Sequence, residues 1–147
     1  MFKQYTITLM ALILAQPAFA DYKMLINKEA RRQGVKPHIA IAIAMQESTL
    51  NPRKTNFEAG LYERKSLNHH TKLDFTALGL FQVVPFWQME RCGAKEPLDL
   101  MSPMANIRCG IKYIKYCRSR FKTDKKTIGC YNGDFSGDYY NLVRRYF

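Results

Sequence analysis

The sequence of 147 residues contains no internal repeat, no low-complexity tract and, after residue 20, no apolar run long enough to cross a bilayer. The first two absences exclude a solenoid and a disordered linker, and the third excludes a domain embedded in a membrane. No two cysteines stand in a close CxxC pair, so the spacing of a zinc site is missing. Acidic residues are scarce, 12 against 23 lysines and arginines, which leaves a net charge of +11. Tryptophan occurs once, at Trp87, where burial in the core is expected. A metal site at the adjacent His69 and His70 would need further ligands, so a solvated pair is expected and neither metal nor cofactor is called for.

What is present divides at residue 20. "MFKQYTITLMALILAQPAFA" has a cationic Lys3, an apolar run from Thr6 to Ala15 and a small-x-small ending at Ala18-Phe19-Ala20. That is the layout of a secretory signal cleaved after Ala20, too short to span a bilayer. Residues 21–147 are then one domain's worth of chain, exported, periplasmic or secreted, and expected as a monomer. Export and an even count make the four cysteines (Cys92, Cys109, Cys117 and Cys130) a disulfide framework. Three pairings are open. Cys109 and Cys117 lie eight apart on one apparent helix, about 12 Å along its axis and beyond the reach of a bridge. The preferred pairs are Cys92 with Cys109 and Cys117 with Cys130. Basic proteins seek polyanions. For an exported chain these are wall polymers, envelope lipids and acidic glycans, and no nucleic-acid partner is expected.

Residues 21–33 read as a helix stopped by Gly34. In "GVKPHIAIAIAMQES" the Ile-Ala alternation imitates a strand. Alanine favours helix, and Pro37 suits a first turn, so the segment reads as a buried helix ending near Ser48. Residues 53–78 show no sustained period and are expected to form a long loop with a short hairpin or helical turn. A brief helix follows Pro85. "SPMANIRCGIKYIKYCRSRF" is amphipathic, "DKKTIGCYNGD" is a short helix entering a glycine-rich turn, and "GDYYNLVRRYF" closes the chain with another helix whose aromatics serve packing. The sum is a helix-dominated α+β domain.

The greasiest of these helices ends at Glu47. Loss of water and the negative end of the helix dipole both disfavour its ionised form and raise its pKa. A carboxylic acid that keeps its proton near neutral pH can protonate a glycosidic oxygen. Company at ordered intervals strengthens this reading. "ESTLNP" (47–52) is followed by "GLFQ" (79–82), "NIRCGIKYI" (106–114) and "CYNG" (130–133). In these four strings, in this order, the sequence resembles the soluble lytic transglycosylase (SLT domain) family of the lysozyme-like superfamily. That family's motifs run Glu-Ser with a following Asn-Pro, Gly-Leu-Met-Gln, Asn-Ile-x-x-Gly-x-x-Tyr-Leu and Ala-Tyr-Asn-Ala-Gly.

The resemblance covers about residues 25–135 and implies a mainly α, α+β lysozyme-like fold: a single small globular helical domain with a central buried helix ending at the catalytic glutamate. It implies that Glu47 is the single catalytic acid and base. Ser48 is expected to contact the substrate's N-acetyl group or the reacting centre, and Gln82 to line the cleft floor. Gly79 would let backbone and sugar approach, Tyr131 would hydrogen-bond and orient Glu47, and Asn132 would shape the same wall. Asn106, Gly110 and Tyr113 match the third motif. Gly110 would permit tight helix packing, and Tyr113 would either reach the cleft or serve as a core aromatic. Phe81, Ile114, Cys130 and Gly133-Asp134 depart from the pattern.

The implied activity is that of a peptidoglycan lytic transglycosylase, a glycan-cleaving lyase that needs one carboxyl and forms 1,6-anhydro ends. Ordinary glycosidases need two carboxylates. Glu58, Glu63 and Asp74 supply a second only if the loop folds back into the cleft, which defines a lysozyme-like hydrolase as the rival. A non-catalytic glycan-binding module is the alternative from outside enzymes. The partners implied are peptidoglycan strands and, from small size and export, an envelope-spanning secretion, conjugation or phage machine.

Overall fold

A computed structural model describes residues 19–147; the expected export signal lies outside them except for its last two residues. The described chain runs α1 (Phe19–Gln33), α2 (Pro37–Ser48), β1 (Thr55–Phe57), α3 (Ala59–Lys65), β2 (Thr76–Leu78), α4 (Pro85–Cys92), α5 (Pro103–Arg120), α6 (Asp124–Asn132) and α7 (Asp138–Val143). Turns of 3-10 helix occupy Lys72–Phe75, Pro97–Met101 and Arg144–Tyr146. The architecture is mainly helical with one small antiparallel ribbon, as expected.

The Ile-Ala segment is helix α2. Ile39, Ala40, Ala42, Ile43 and Ala44 are all buried, so apolar residues surround most of the helix and the sequence alternation carries no strand information. Ile43 is fully enclosed, and burying its side chain contributes about 2 kcal/mol. The alanines let α1 and α7 approach closely. Beyond Ser48 the chain turns sharply: Thr49 (φ 53°) and Leu50 (φ 60°) both take the left-handed conformation, which costs a non-glycine residue about 1 kcal/mol or more. Leu50 is 1 % exposed, so its buried side chain anchors the bend.

Residues 53–78, expected as a loop with a short hairpin or helical turn, hold a two-stranded ribbon and a short helix. β1 pairs antiparallel with β2 (Thr55 with Leu78, Asn56 with Ala77, Phe57 with Thr76), and α3 lies between the strands. Every residue of β1 is exposed and α3 buries none. With no buried face, neither element imposes a period on the sequence.

Helix α5 is the frame. Asn106, Ile107, Cys109, Gly110, Ile111, Ile114 and Cys117 form its buried stripe, and it packs on α1, α4 and α6. Both disulfides start from it: Cys92–Cys109 joins α4 to α5, and Cys117–Cys130 joins α5 to α6, the preferred pairing. The Phe81 ring lies directly against the α5 backbone at Gly110, where an added Cβ would stand 2.3 Å from Phe81 Cγ.

That contact sets a stability prediction. Gly110→Ala forces an already enclosed ring to move and should destabilise the fold by about 1–3 kcal/mol. A drop in the urea midpoint with unchanged slope is the expected result.

Candidate active site

The site is built around one turn. Leu78 and Val83 pair through mutual backbone hydrogen bonds of 2.9 and 3.0 Å, and residues 79–82 bulge between them. Side chains from distant parts of the chain bind the carbonyls of this segment. Asn106 Nδ2 donates to Leu78 (2.7 Å) and to Leu100 (2.8 Å), while Asn106 Oδ1 accepts from the Phe81 N–H (2.8 Å). Gln82 Nε2 donates to Gly79 (3.0 Å) and to Lys54 (3.0 Å). Ser48 Oγ faces the Leu80 carbonyl (2.8 Å), and the Tyr131 hydroxyl donates to the Phe81 carbonyl (2.7 Å). Gly79 adopts φ +69°, and a Cβ there would stand 2.7 Å from Asn106 Nδ2. Gln82 is held at φ 46°, the strained left-handed region for a side chain of its kind.

Three expectations change accordingly. Ser48 is 1 % exposed, with its hydroxyl between the Ala44 and Leu80 carbonyls, so it braces the turn from beneath and does not line the cleft. Gly79 makes its close approach to the Asn106 amide and is itself buried. Tyr131 spends its hydroxyl on the Phe81 carbonyl; the phenol that donates to Glu47 Oε1 is Tyr139.

Glu47 occupies the last turn of α2 and borders an open cleft of about 1280 Å³. Gln82, Tyr113, Tyr131 and Asn132 line the same cleft. Burial is the largest influence on the Glu47 carboxyl and raises its pKa. The Tyr139 hydroxyl and the Lys54 ammonium favour the ionised form, Glu58 disfavours it, and the net direction is upward. The expected help from the helix dipole is offset, because Lys54 Nζ donates to the Glu47 backbone carbonyl (2.5 Å) and places a cation at that helix end. Burial, followed by the nearby Glu47 charge, pushes the Tyr139 phenol far above its ordinary range, so it remains a neutral donor. The arrangement favours the protonated form of Glu47 more than water does, and it supplies a hydrogen bond and a cation that accommodate the carboxylate once the proton leaves. A group so placed can act first as acid and then as base.

One wall of the cleft comes from β1 and α3, with Asn56, Glu58, Leu61 and Arg64. The facing wall comes from α4 and α5, with Trp87, Arg91, Tyr113 and Tyr116. Trp87 is 53 % exposed, which corrects the expectation that it lies in the core: α4 is a short surface helix, and this residue falls on its cleft side. Tyr113 is half-buried and both packs and reaches the cleft, with its hydroxyl donating to the Cys130 carbonyl (3.3 Å) and its ring 5.2 Å from that of Tyr131. Of the three loop carboxylates, Asp74 caps the 3-10 turn by accepting from the Thr71 N–H (2.6 Å) and hydroxyl (3.0 Å). Glu63 is exposed on α3 away from the cleft lining, and only Glu58 of the three lines it. His70 accepts from the Leu67 N–H (3.0 Å) and packs against Phe75 and Phe86, so it is less solvated than expected. Among the described residues no group of three metal-ligating side chains comes together.

Tyr139 was not legible as a site residue. It lies in an aromatic-rich C-terminal helix and meets a partner 92 positions away, with no local spacing to announce the contact. Its helix is set by Asp134, whose carboxylate accepts from the Tyr139 N–H (2.7 Å).

A family model described as the transglycosylase SLT domain matches residues 24–138. No curated protein and no solved structure matches the chain.

The upward shift of Glu47 has a consequence for stability. A carboxyl whose folded pKa exceeds its unfolded value, roughly 4.3, binds its proton more tightly when folded. Its contribution is present below the unfolded pKa and is lost as pH rises through the folded one. Glu47→Gln should therefore be more stable than the parent at pH 7. The difference should shrink toward pH 4, as checked by urea unfolding at both values.

Proposed function

The chain belongs to the transglycosylase SLT domain family, and from that premise we propose that it cleaves the β-1,4 bond between N-acetylmuramic acid and N-acetylglucosamine, leaving 1,6-anhydro ends. Family membership supports a peptidoglycan-acting, transglycosylase-like function. The finer reading rests on one observation: a buried carboxyl with raised pKa, bound by Tyr139, opens onto a cleft.

In the proposed reaction Glu47 donates its proton to the glycosidic oxygen as the bond to muramic C1 breaks. The substrate's own N-acetyl oxygen covers the developing charge at C1. Glu47, now a carboxylate supported by Tyr139 and Lys54, takes the proton from the muramic C6 hydroxyl. The C6 oxygen then closes on C1, and no water is consumed. Gln82, Tyr131 and Asn132 are proposed to shape the sugar site, with Ser48, Gly79 and Asn106 holding the turn beneath it.

A second reading has a specific observation behind it. Glu58 lines the cleft and receives a hydrogen bond from Asn56 Nδ2 (2.9 Å), which keeps its carboxylate oriented. A water activated there would make the protein a hydrolase that leaves reducing ends.

Residues 1–20 are proposed as a cleaved export signal, which would deliver the chain to the wall outside the cytoplasm, where disulfides form. No helix among the described residues is long and apolar enough to cross a membrane. Service to an envelope-spanning machine is proposed from size and export. Recovery of such a machine's component with the protein, after cross-linking in its native host, is the expected result.

Digestion of purified peptidoglycan decides the chemistry. The expected fragments end in anhydromuramic acid, one water lighter than hydrolysis products by mass spectrometry. Glu47→Gln should lose activity by about a thousandfold. Glu58→Gln should still yield anhydro ends; reducing ends from the parent, lost in Glu58→Gln, would establish hydrolysis instead.

A further inference from the structure

The reaction leaves two cations of the cleft, Arg64 and Arg91, without a task. Arg91, on α4, lines the cleft on the wall facing β1 and α3. Its guanidinium carbon lies 4.3 Å from the ring centroid of Tyr116 and 5.0 Å from that of Tyr113, and those two rings are themselves nearly parallel at 16°. Its Nη1 donates to Oε1 of Gln88 (2.6 Å), a residue only 7 % exposed. The fork is thus fixed by two stacked aromatics and one buried amide, and most of its N–H donors are uncommitted.

Among the described residues no carboxylate lies within ion-pairing distance of Arg91. Arg118 pairs with Asp124 at 2.9 Å, and Arg32 pairs with Glu29. A planar guanidinium, pre-oriented beside a cleft and lacking an internal counter-ion, is matched to a carboxylate. Arg64 lines the opposite wall and adds to the positive field. Trp87 precedes Arg91 by one helical turn and is exposed on the same cleft, a flat apolar surface suited to a sugar face.

We propose that Arg91, held by Gln88, Tyr113 and Tyr116, is an anion subsite that takes a carboxylate of the peptide carried by the glycan strand. The proposal rests on the reading of the substrate given above. The amino sugars of such a strand are uncharged once the lactyl group is amidated, so peptide carboxylates are the anions it offers to this fork. The subsite makes the protein discriminate strands whose peptides carry free carboxylates from strands whose peptide carboxylates are neutralised.

The test compares glycan strands bearing their peptides with the same strands whose peptide carboxylates have been converted to neutral amides, which leaves the lactyl amide intact. For the purified protein, kcat/KM is measured on both substrates, with Arg91→Gln and Arg91→Lys alongside. Arg91→Gln should lower the ratio of carboxylate-bearing to amidated activity by about five- to tenfold, the loss of one charge-assisted contact in a wet cleft. Arg91→Lys keeps the charge without the fork and should fall between. An equal loss on both substrates would assign Arg91 to supporting the two tyrosines and overturn the subsite, as would no loss on either. Co-sedimentation of Glu47→Gln and of the Glu47→Gln/Arg91→Gln pair with both strand types gives a readout that does not depend on cleavage. If the parent cuts neither strand, the reaction reading fails. The subsite then stands if binding still prefers carboxylate-bearing strands through Arg91, and falls if it does not.

Discussion

A buried amide holds the site together. Asn106 is 0 % exposed, accepts from the Phe81 N–H and donates to the carbonyls of Leu78 and Leu100. The bulged turn it grips offers further carbonyls, which engage Gln82, Ser48 and Tyr131. A buried carbonyl or N–H left without a partner costs about 1–3 kcal/mol, so the members of such a network support one another. The four sequence motifs meet because one forms the turn and the other three supply Ser48, Asn106 and Tyr131, which hold it. This gives several motif residues a physical reason to exist that does not involve touching sugar.

On that base the chain accepts local cost at its functional end. Thr49, Leu50 and Gln82 take left-handed backbone conformations, and a carboxyl is withdrawn from water at the terminus of an apolar helix. These departures from local preference cluster at Glu47 and the turn beside it, where strain and unfavourable burial have a use. Elsewhere the rules are obeyed: α4 ends on left-handed Gly93, and α6 is capped by Thr123, whose hydroxyl accepts from Lys126.

The helices were largely legible because they bury regular stripes. α2 required a choice between alternation and alanine content, and alanine content gave the right answer because the helix is enclosed on most sides. The ribbon and α3 could be expected only in outline, since neither buries a face that would leave a period. Glu47 and the motif strings were legible as local patterns. The bonds of Ser48 to Leu80, Tyr131 to Phe81 and Tyr139 to Glu47 were not, because they join residues 32, 50 and 92 positions apart. Trp87 was misjudged for a related reason: rarity and size argue for burial, but exposure depends on which side of a short helix faces the cleft.

The two disulfides leave the cleft mechanically lopsided. Both begin on α5 and brace α4 and α6, the helices that carry Trp87, Arg91 and Tyr131. The opposing jaw, β1 and α3, has no covalent brace and scarcely any buried side chain of its own. One jaw is bolted to the frame and the other is held by packing and hydrogen bonds alone, so local opening costs less on the side bearing Glu58 and Arg64.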